Sequence, residues 1–313
     1  MIDISSKAVT LTKARRLTLA AAAIGIFATA CHPGYREAKQ LTSECNAGDV
    51  NACNRLGTKL LKGEYVLRDE ARAAGLFDRA CKAQIGSSCA QLGTLHLEGE
   101  GVEKPDSARA ASLFRQACDR NAYDGCTRLG VLHRDGKVVP QSVHQAAALF
   151  QRACDGKDLQ GCAHLAALYE TGDGVRQDVS RAAALYHQTC VAKVASGCVG
   201  LARLHAAGTG VAQNDSIAAA LFTRGCEEGH DREGCFQLGI RYESGKGVPQ
   251  DYRRAWDNYR EACEDNHAEA CFKVAAFYQH GAMGWRDTAE AREMNEKSCR
   301  LGYTPACPAK KTT

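Results

Sequence analysis

Sixteen of the seventeen cysteines stand in eight pairs, and the pairs recur with a period that a single globular core would not impose. They are Cys45 and Cys53, Cys81 and Cys89, Cys118 and Cys126, Cys154 and Cys162, Cys190 and Cys198, Cys226 and Cys235, Cys263 and Cys271, and Cys299 and Cys307. Seven pairs are eight residues apart and one is nine; successive first members follow at 36 or 37 residues. A fixed period of this length is the signature of a solenoid of stacked supersecondary units, each of which buries its apolar face only against its neighbours.

Aligning the units on their second cysteine shows what each contains. Three residues on stands an aliphatic side chain (Leu56, Leu92, Leu129, Leu165, Leu201, Leu238, Val274), and the next position is Gly or Ala in every unit. That stripe predicts an amphipathic helix, called A, whose small residue admits a close helical neighbour. Ten residues after the cysteine a glycine recurs, from Gly63 to Gly281, often inside a G-x-G-V turn such as Gly172–Val175. It ends helix A by permitting positive φ. Asp69, Asp178, Asp251 and Asp287, with Ser142 and Asn214 as substitutes, then suit the start of a second helix, B. Helix B carries Ala at one fixed place (Ala73, Ala110, Ala146, Ala182, Ala218, Ala255, Ala291), usually with a Leu-Phe or Leu-Tyr pair behind it, and ends on the next cysteine.

The pattern L-G-x-x-[YH]-x-x-G-x-G-V-x-x-D-x-x-x-A-x-x-L-[FY] resembles the Sel-one-like repeat, a relative of the tetratricopeptide repeat, over about residues 35–307. The paired cysteines make it similar to the disulfide-stapled subset typified by the Helicobacter cysteine-rich proteins. Met283 and Gly284 in the last turn, and Asn295 in place of the helix B aromatic, depart from the pattern. The resemblance implies an all-α fold, an α/α solenoid forming a right-handed superhelix of helix hairpins, with about seven repeats and one disulfide in each. The expected bonds join Cys45–Cys53, Cys81–Cys89, Cys118–Cys126, Cys154–Cys162, Cys190–Cys198, Cys226–Cys235, Cys263–Cys271 and Cys299–Cys307. On an unbroken helix, residues eight apart lie about 12 Å apart, too far for a disulfide, so the chain must fold back between them. Gly156 and Gly161, or Asn121 and Gly125, would allow it. Zinc is the competing use of sixteen thiols, but no C-x-x-C occurs.

The seventeenth cysteine has a separate context. Lys7, Lys13, Arg15 and Arg16 precede the apolar run Leu17–Phe27, which is too short to span a bilayer and reads as an export signal over residues 1–30. Ala28-Thr29-Ala30-Cys31 resembles a bacterial lipobox and also fits the small-x-small exit of ordinary signal cleavage; both cut at one bond. Lipidation of Cys31 is preferred because it accounts for the odd cysteine. His32 in place of the retaining aspartate points to the outer membrane, with the periplasm as the alternative. Without residues 1–30 the net charge falls from +4 to +1, which disfavours nucleic acid as a partner. Residues 31–44 are expected to hold the anchor, a short linker and the start of a capping helix (roughly Tyr35–Cys45), residues 45–307 the array, and 308–313 a polar tail.

No catalytic residue, metal or cofactor emerges. A family relative is a β-lactamase or penicillin-binding protein, yet S-x-x-K, S-D-N and K-T-G are absent after the signal, as are H-E-x-x-H and G-x-S-x-G. Weak β-lactam binding or hydrolysis therefore rests on resemblance alone. His96, His133 and His205 occupy the helix A place filled elsewhere by Tyr169, Tyr242 and Tyr278, and equivalent places in stacked helices are too far apart to share a metal. The charged turn Glu227–Glu233 reads as a solvated loop. In tetratricopeptide-like arrays helix A lines a concave groove, and the resemblance puts the positions one and five residues after the second cysteine there. Phe236, Ile240, Phe272 and Arg203 then form an apolar strip with a flanking cation, suited to a protein or peptide partner. Packing of the phenylalanines between repeats is the equally weighted alternative.

Overall fold

A computed structural model describes residues 32–281, 284 and 286–307. Over these the chain forms fifteen α-helices, a closing 3-10 turn at Thr304–Ala306 and no strand. The fold is the all-α solenoid the repeats predict. Residues 1–30, Cys31, Met283 and the tail 308–313 lie outside the described residues.

The chain divides into two compact units, one through Leu129 and one from Gly130. The first holds α1 (Pro33–Asn46), α2 (Val50–Lys62), α3 (Glu70–Lys82), α4 (Gly86–Glu98), α5 (Ser107–Asp119) and the start of α6 (Tyr123–Asp135). The second holds the rest of α6 and then α7 (Val143–Asp155), α8 (Leu159–Thr171), α9 (Val179–Val191), α10 (Ala195–Ala207), α11 (Asp215–Glu227), α12 (Arg232–Ser244), α13 (Tyr252–Glu264), α14 (Ala268–His280) and α15 (Thr288–Arg300). Even-numbered helices are A, odd-numbered helices B, and α1 is the capping half-repeat. None of them is long and apolar enough to cross a membrane.

Polar side chains fix where helices B start, and glycines fix where helices A stop. Asp69, Ser142, Asp178, Asn214, Asp251 and Asp287 all cap helices B through their side chains, and Asp106, unread in the sequence, caps α5 in the same way. Each satisfies a backbone N–H of the first turn that has no partner within the helix. Helix A ends on a left-handed glycine, as at Gly172 (φ 84°). Just before four of the caps a glutamine reaches back: Gln141, Gln177, Gln213 and Gln250 donate to the carbonyls of Arg134, Glu170, Ala206 and Glu243, the last turn of helix A.

The core is built from one ring in each of the first six repeats. Phe77 and Phe114 in the first unit, and Phe150, Tyr186, Phe222 and Tyr259 in the second, are all at most 2% exposed, and each stands four residues after the recurrent alanine. The small residue of helix A makes room for the ring. A Cβ at Gly93 would lie 2.7 Å from the Phe114 ring, and one at Gly239 would lie 2.6 Å from Tyr259.

All eight expected cysteine pairs stand at disulfide geometry, with Cα atoms 4.5–4.8 Å apart. The chain folds back between them, at Asn121 as expected but not at the glycines expected elsewhere. Gly156 has φ −78°, and the left-handed residue is its neighbour Lys157 at 68°. Gln84, Asn121, Lys193 and Asn266 are its counterparts, with φ between 59° and 71°.

Candidate functional site

The four residues expected to meet a partner divide. Phe236 is only 4% exposed; its ring stacks on His267 at 4.3 Å and tilts against Tyr259 at 5.7 Å, inside the core of the second unit. Phe236 is therefore a packing residue, which corrects its placement in an open groove. Phe272 is half-buried and packs on Tyr303 at 5.3 Å between centroids. Ile240 is half-buried at the margin of the Phe236 core. Arg203 keeps 45% of its side chain exposed. The position five residues after the cysteine, not the one directly after it, thus carries the accessible side chains.

Around Arg203 and Ile240 the structure gathers polar groups that the alignment did not single out. Glu170 on α8 accepts from the Arg203 guanidinium at 2.8 Å and from the Tyr186 hydroxyl at 2.7 Å. Glu243 on α12 accepts from Lys273 at 2.9 Å and from the Tyr259 hydroxyl at 2.5 Å. Burial, and then the carboxylate acceptor, push both phenols well above their ordinary pKa. Between these clusters, Glu233 accepts from His267 Nε2 at 3.1 Å and from Gln237 at 2.9 Å. The hydrogen bond from His267 is the main reason its carboxyl lies below the usual range. His267 Nδ1 accepts the Ala270 N–H as the cap of α14, so the neutral ring carries its proton on Nε2, facing Glu233.

A signal for the two tyrosine clusters does exist in the sequence. Where the helix B ring is Tyr186 or Tyr259, the residue eight places after the second cysteine of the same repeat is Glu170 or Glu243. Where the ring is Phe77, Phe114, Phe150 or Phe222, that residue is Leu61, Leu97, Arg134 or Ala206. A buried hydroxyl needs an acceptor and a phenyl ring does not.

The remaining candidates serve the scaffold. His133 is buried with Nδ1 3.3 Å from the Pro140 carbonyl, and His205 Nδ1 lies 3.1 Å from that of Ala212, so each ties helix A to the turn behind it. His96 is partly buried, and burial, then Arg109, lower its pKa. Cys226, Cys235 and Glu261 bring ligand atoms within 4.8 Å, but the two sulfurs are bonded to each other and offer no thiolate. In the long charged turn, His230 lies 3.6 Å from Glu261.

Comparison with known proteins agrees with the repeat register. The Sel1 repeat model matches seven times, at residues 50–84, 86–121, 124–158, 159–190, 195–230, 232–267 and 268–303. Cytochrome c oxidase assembly factor 7 of Xenopus tropicalis is 29% identical over 125 residues, which cover 26% of this chain and 54% of that protein. The chain thus spans about half the length of this curated relative. Among solved structures, c5321, a protective antigen of uropathogenic Escherichia coli with an SLR fold, superposes with a TM-score of 0.63 at 25% identity, covering 86% of this chain and 57% of the other. A Sel1 repeat protein from Oxalobacter formigenes gives 0.67 at 18% identity, covering 79% and 96%.

Proposed function

The chain belongs to the Sel1 repeat family, and from that premise we propose that it is an exported scaffold, lipid-anchored at Cys31, holding a protein or peptide partner on the helix A face of the second unit. One observation carries the reading. The core positions keep one chemical type through six of the seven repeats, whereas the outward positions five residues after the cysteine vary along the array, and in the second unit they set exposed Arg203 near the Glu170 and Glu233 carboxylates and half-buried Ile240. A cation, carboxylates and an aliphatic edge on a rigid scaffold are the elements of a selective protein contact. The word assembly in the name of the Xenopus tropicalis relative fits a protein that acts on other proteins. Export is supported by the basic-apolar segment 1–30 and by eight disulfides, which persist in oxidising compartments.

The test is site-specific photocrosslinking in the intact envelope. A crosslinker at position 240 should give discrete protein adducts that Arg203→Glu weakens, while one at exposed Ile217 on α11 should give none. Equal adducts from both positions, or adducts indifferent to Arg203, would overturn the reading.

A further inference from the structure

The last repeat lacks its ring. Asn295 stands where Phe77, Phe114, Phe150, Tyr186, Phe222 and Tyr259 fill the core of the other six repeats. In place of the ring there is a cavity of about 530 Å³, within the range of small-ligand sites. Asn295 lines it together with Ala291, Gln279, Arg292 and Ala306. Two polar features beside it are specific. The Asn295 Oδ1 is buried and, among the described residues, has no hydrogen-bond partner, a condition that costs free energy unless a donor arrives. Gln279 occupies the register of Glu170 and Glu243, the residues that accept the hydroxyls of Tyr186 and Tyr259. The tyrosine acceptor position is thus kept as an amide, and the tyrosine is missing.

We propose that this cavity, at the α14–α15 end of the second unit, is a binding site for a tyrosine side chain presented by a partner peptide. The incoming ring would lie in the space that the helix B aromatic fills elsewhere. Its hydroxyl would donate to Gln279 Oε1, and a neutral amide suits a neutral phenol. Elsewhere the same hydroxyl meets a carboxylate that is balanced by Arg203 or Lys273. The site is separate from the Arg203–Ile240 face, so it stands or falls independently of the crosslinking result.

The experiment titrates the mature chain with capped Ala-Tyr-Ala and capped Ala-Phe-Ala, following the side-chain amide resonances of Asn295 and Gln279 by NMR. The tyrosine peptide should shift both amides and bind about five-fold tighter than the phenylalanine peptide, the value of one net hydrogen bond. Gln279→Ala, at an exposed position, should reduce that preference without lowering the melting temperature. Asn295→Phe should supply the missing ring from within, abolish binding and raise the melting temperature. Equal binding of the two peptides overturns the proposal, as does undiminished binding to Asn295→Phe. Absence of binding to the mature chain also overturns it.

Discussion

His164 stands two residues after the second cysteine, the place from which Arg128 and Lys273 set a cation over the rings of Phe114 and Tyr259. Here an imidazole stacks on Phe150 at 4.9 Å instead, and Nδ1 faces the Arg134 guanidinium at 3.4 Å. Burial first, then the Arg134 charge, lower its pKa from 6.5 to about 4. Between those values the unfolded chain binds the proton and the folded chain does not, so stability present above pH 6.5 is lost as the pH falls toward 4. The loss amounts to up to about 3 kcal/mol. Urea unfolding at pH 7 and at pH 4.5 should therefore show a larger drop for the wild-type protein than for His164→Gln, and equal drops would remove the assignment. The neighbouring register shows what a sequence leaves open at this scale. Measured from the second cysteine at about 100° per residue, the positions three, four and seven on cluster around the buried direction. The position one residue on lies at the margin of that stripe and the position five residues on about 40° further out. Repeat spacing alone does not tell which side of the margin Phe236 takes; its stacking on His267 does.

Helix B ends in the same way at seven of the eight cysteine pairs, and the device was only half legible. At Lys193 the backbone N–H bonds to the Cys190 carbonyl, and the next N–H, of Val194, to that of Thr189. This pair of bonds is the Schellman ending, which turns the chain back and brings the two cysteines together. The motif ordinarily takes glycine at its left-handed residue, as at Gly48 and Gly302, which is why Gly156 looked suitable; there the structure puts the strain one place later, on Lys157, and elsewhere on Gln84, Asn121, Lys193 and Asn266. A non-glycine side chain in that region costs about 1–2 kcal/mol. The disulfide and the flanking helices hold the conformation regardless. Lys193→Gly should accordingly raise stability by up to about 1 kcal/mol, part of the relief being offset by the freer unfolded chain. Lys193→Val should lower it. The urea midpoints of the two variants check this, and a Gly variant less stable than the Val variant would contradict the account. Where the nine-residue pair Cys226–Cys235 interrupts the pattern, the ending widens by one residue: His230 bonds to Cys226 and Asp231 to Gly225.

At the scale of the chain, the repeat made the fold legible, because six of the seven units restate one register of small residue, ring and cap and the seventh departs only at the ring. What stayed hidden depends on pairs of positions rather than on single ones: the acceptors Glu170 and Glu243 are 16 residues from their tyrosines, and the cavity beside Asn295 stands where the last repeat has no ring. The same one-dimensional logic governs how the disulfides act. Each closes a loop of about nine residues and restrains the unfolded chain by about 2.5 kcal/mol in the loop-entropy account. In a solenoid that restraint is felt by the two helices it joins and fades along the array. Replacing Cys190 and Cys198 together by alanine removes the bond between α9 and α10, whose sulfurs are buried. The variant should lose about 2–3 kcal/mol, with hydrogen exchange rising in α9 and α10 and much less in α13 to α15. Exchange that rises equally from α7 to α15 would mean that the second unit unfolds as one cooperative body. Each staple would then stabilise the whole unit rather than a single hairpin junction, and the partner face around Arg203 would depend on every disulfide of that unit instead of on its own.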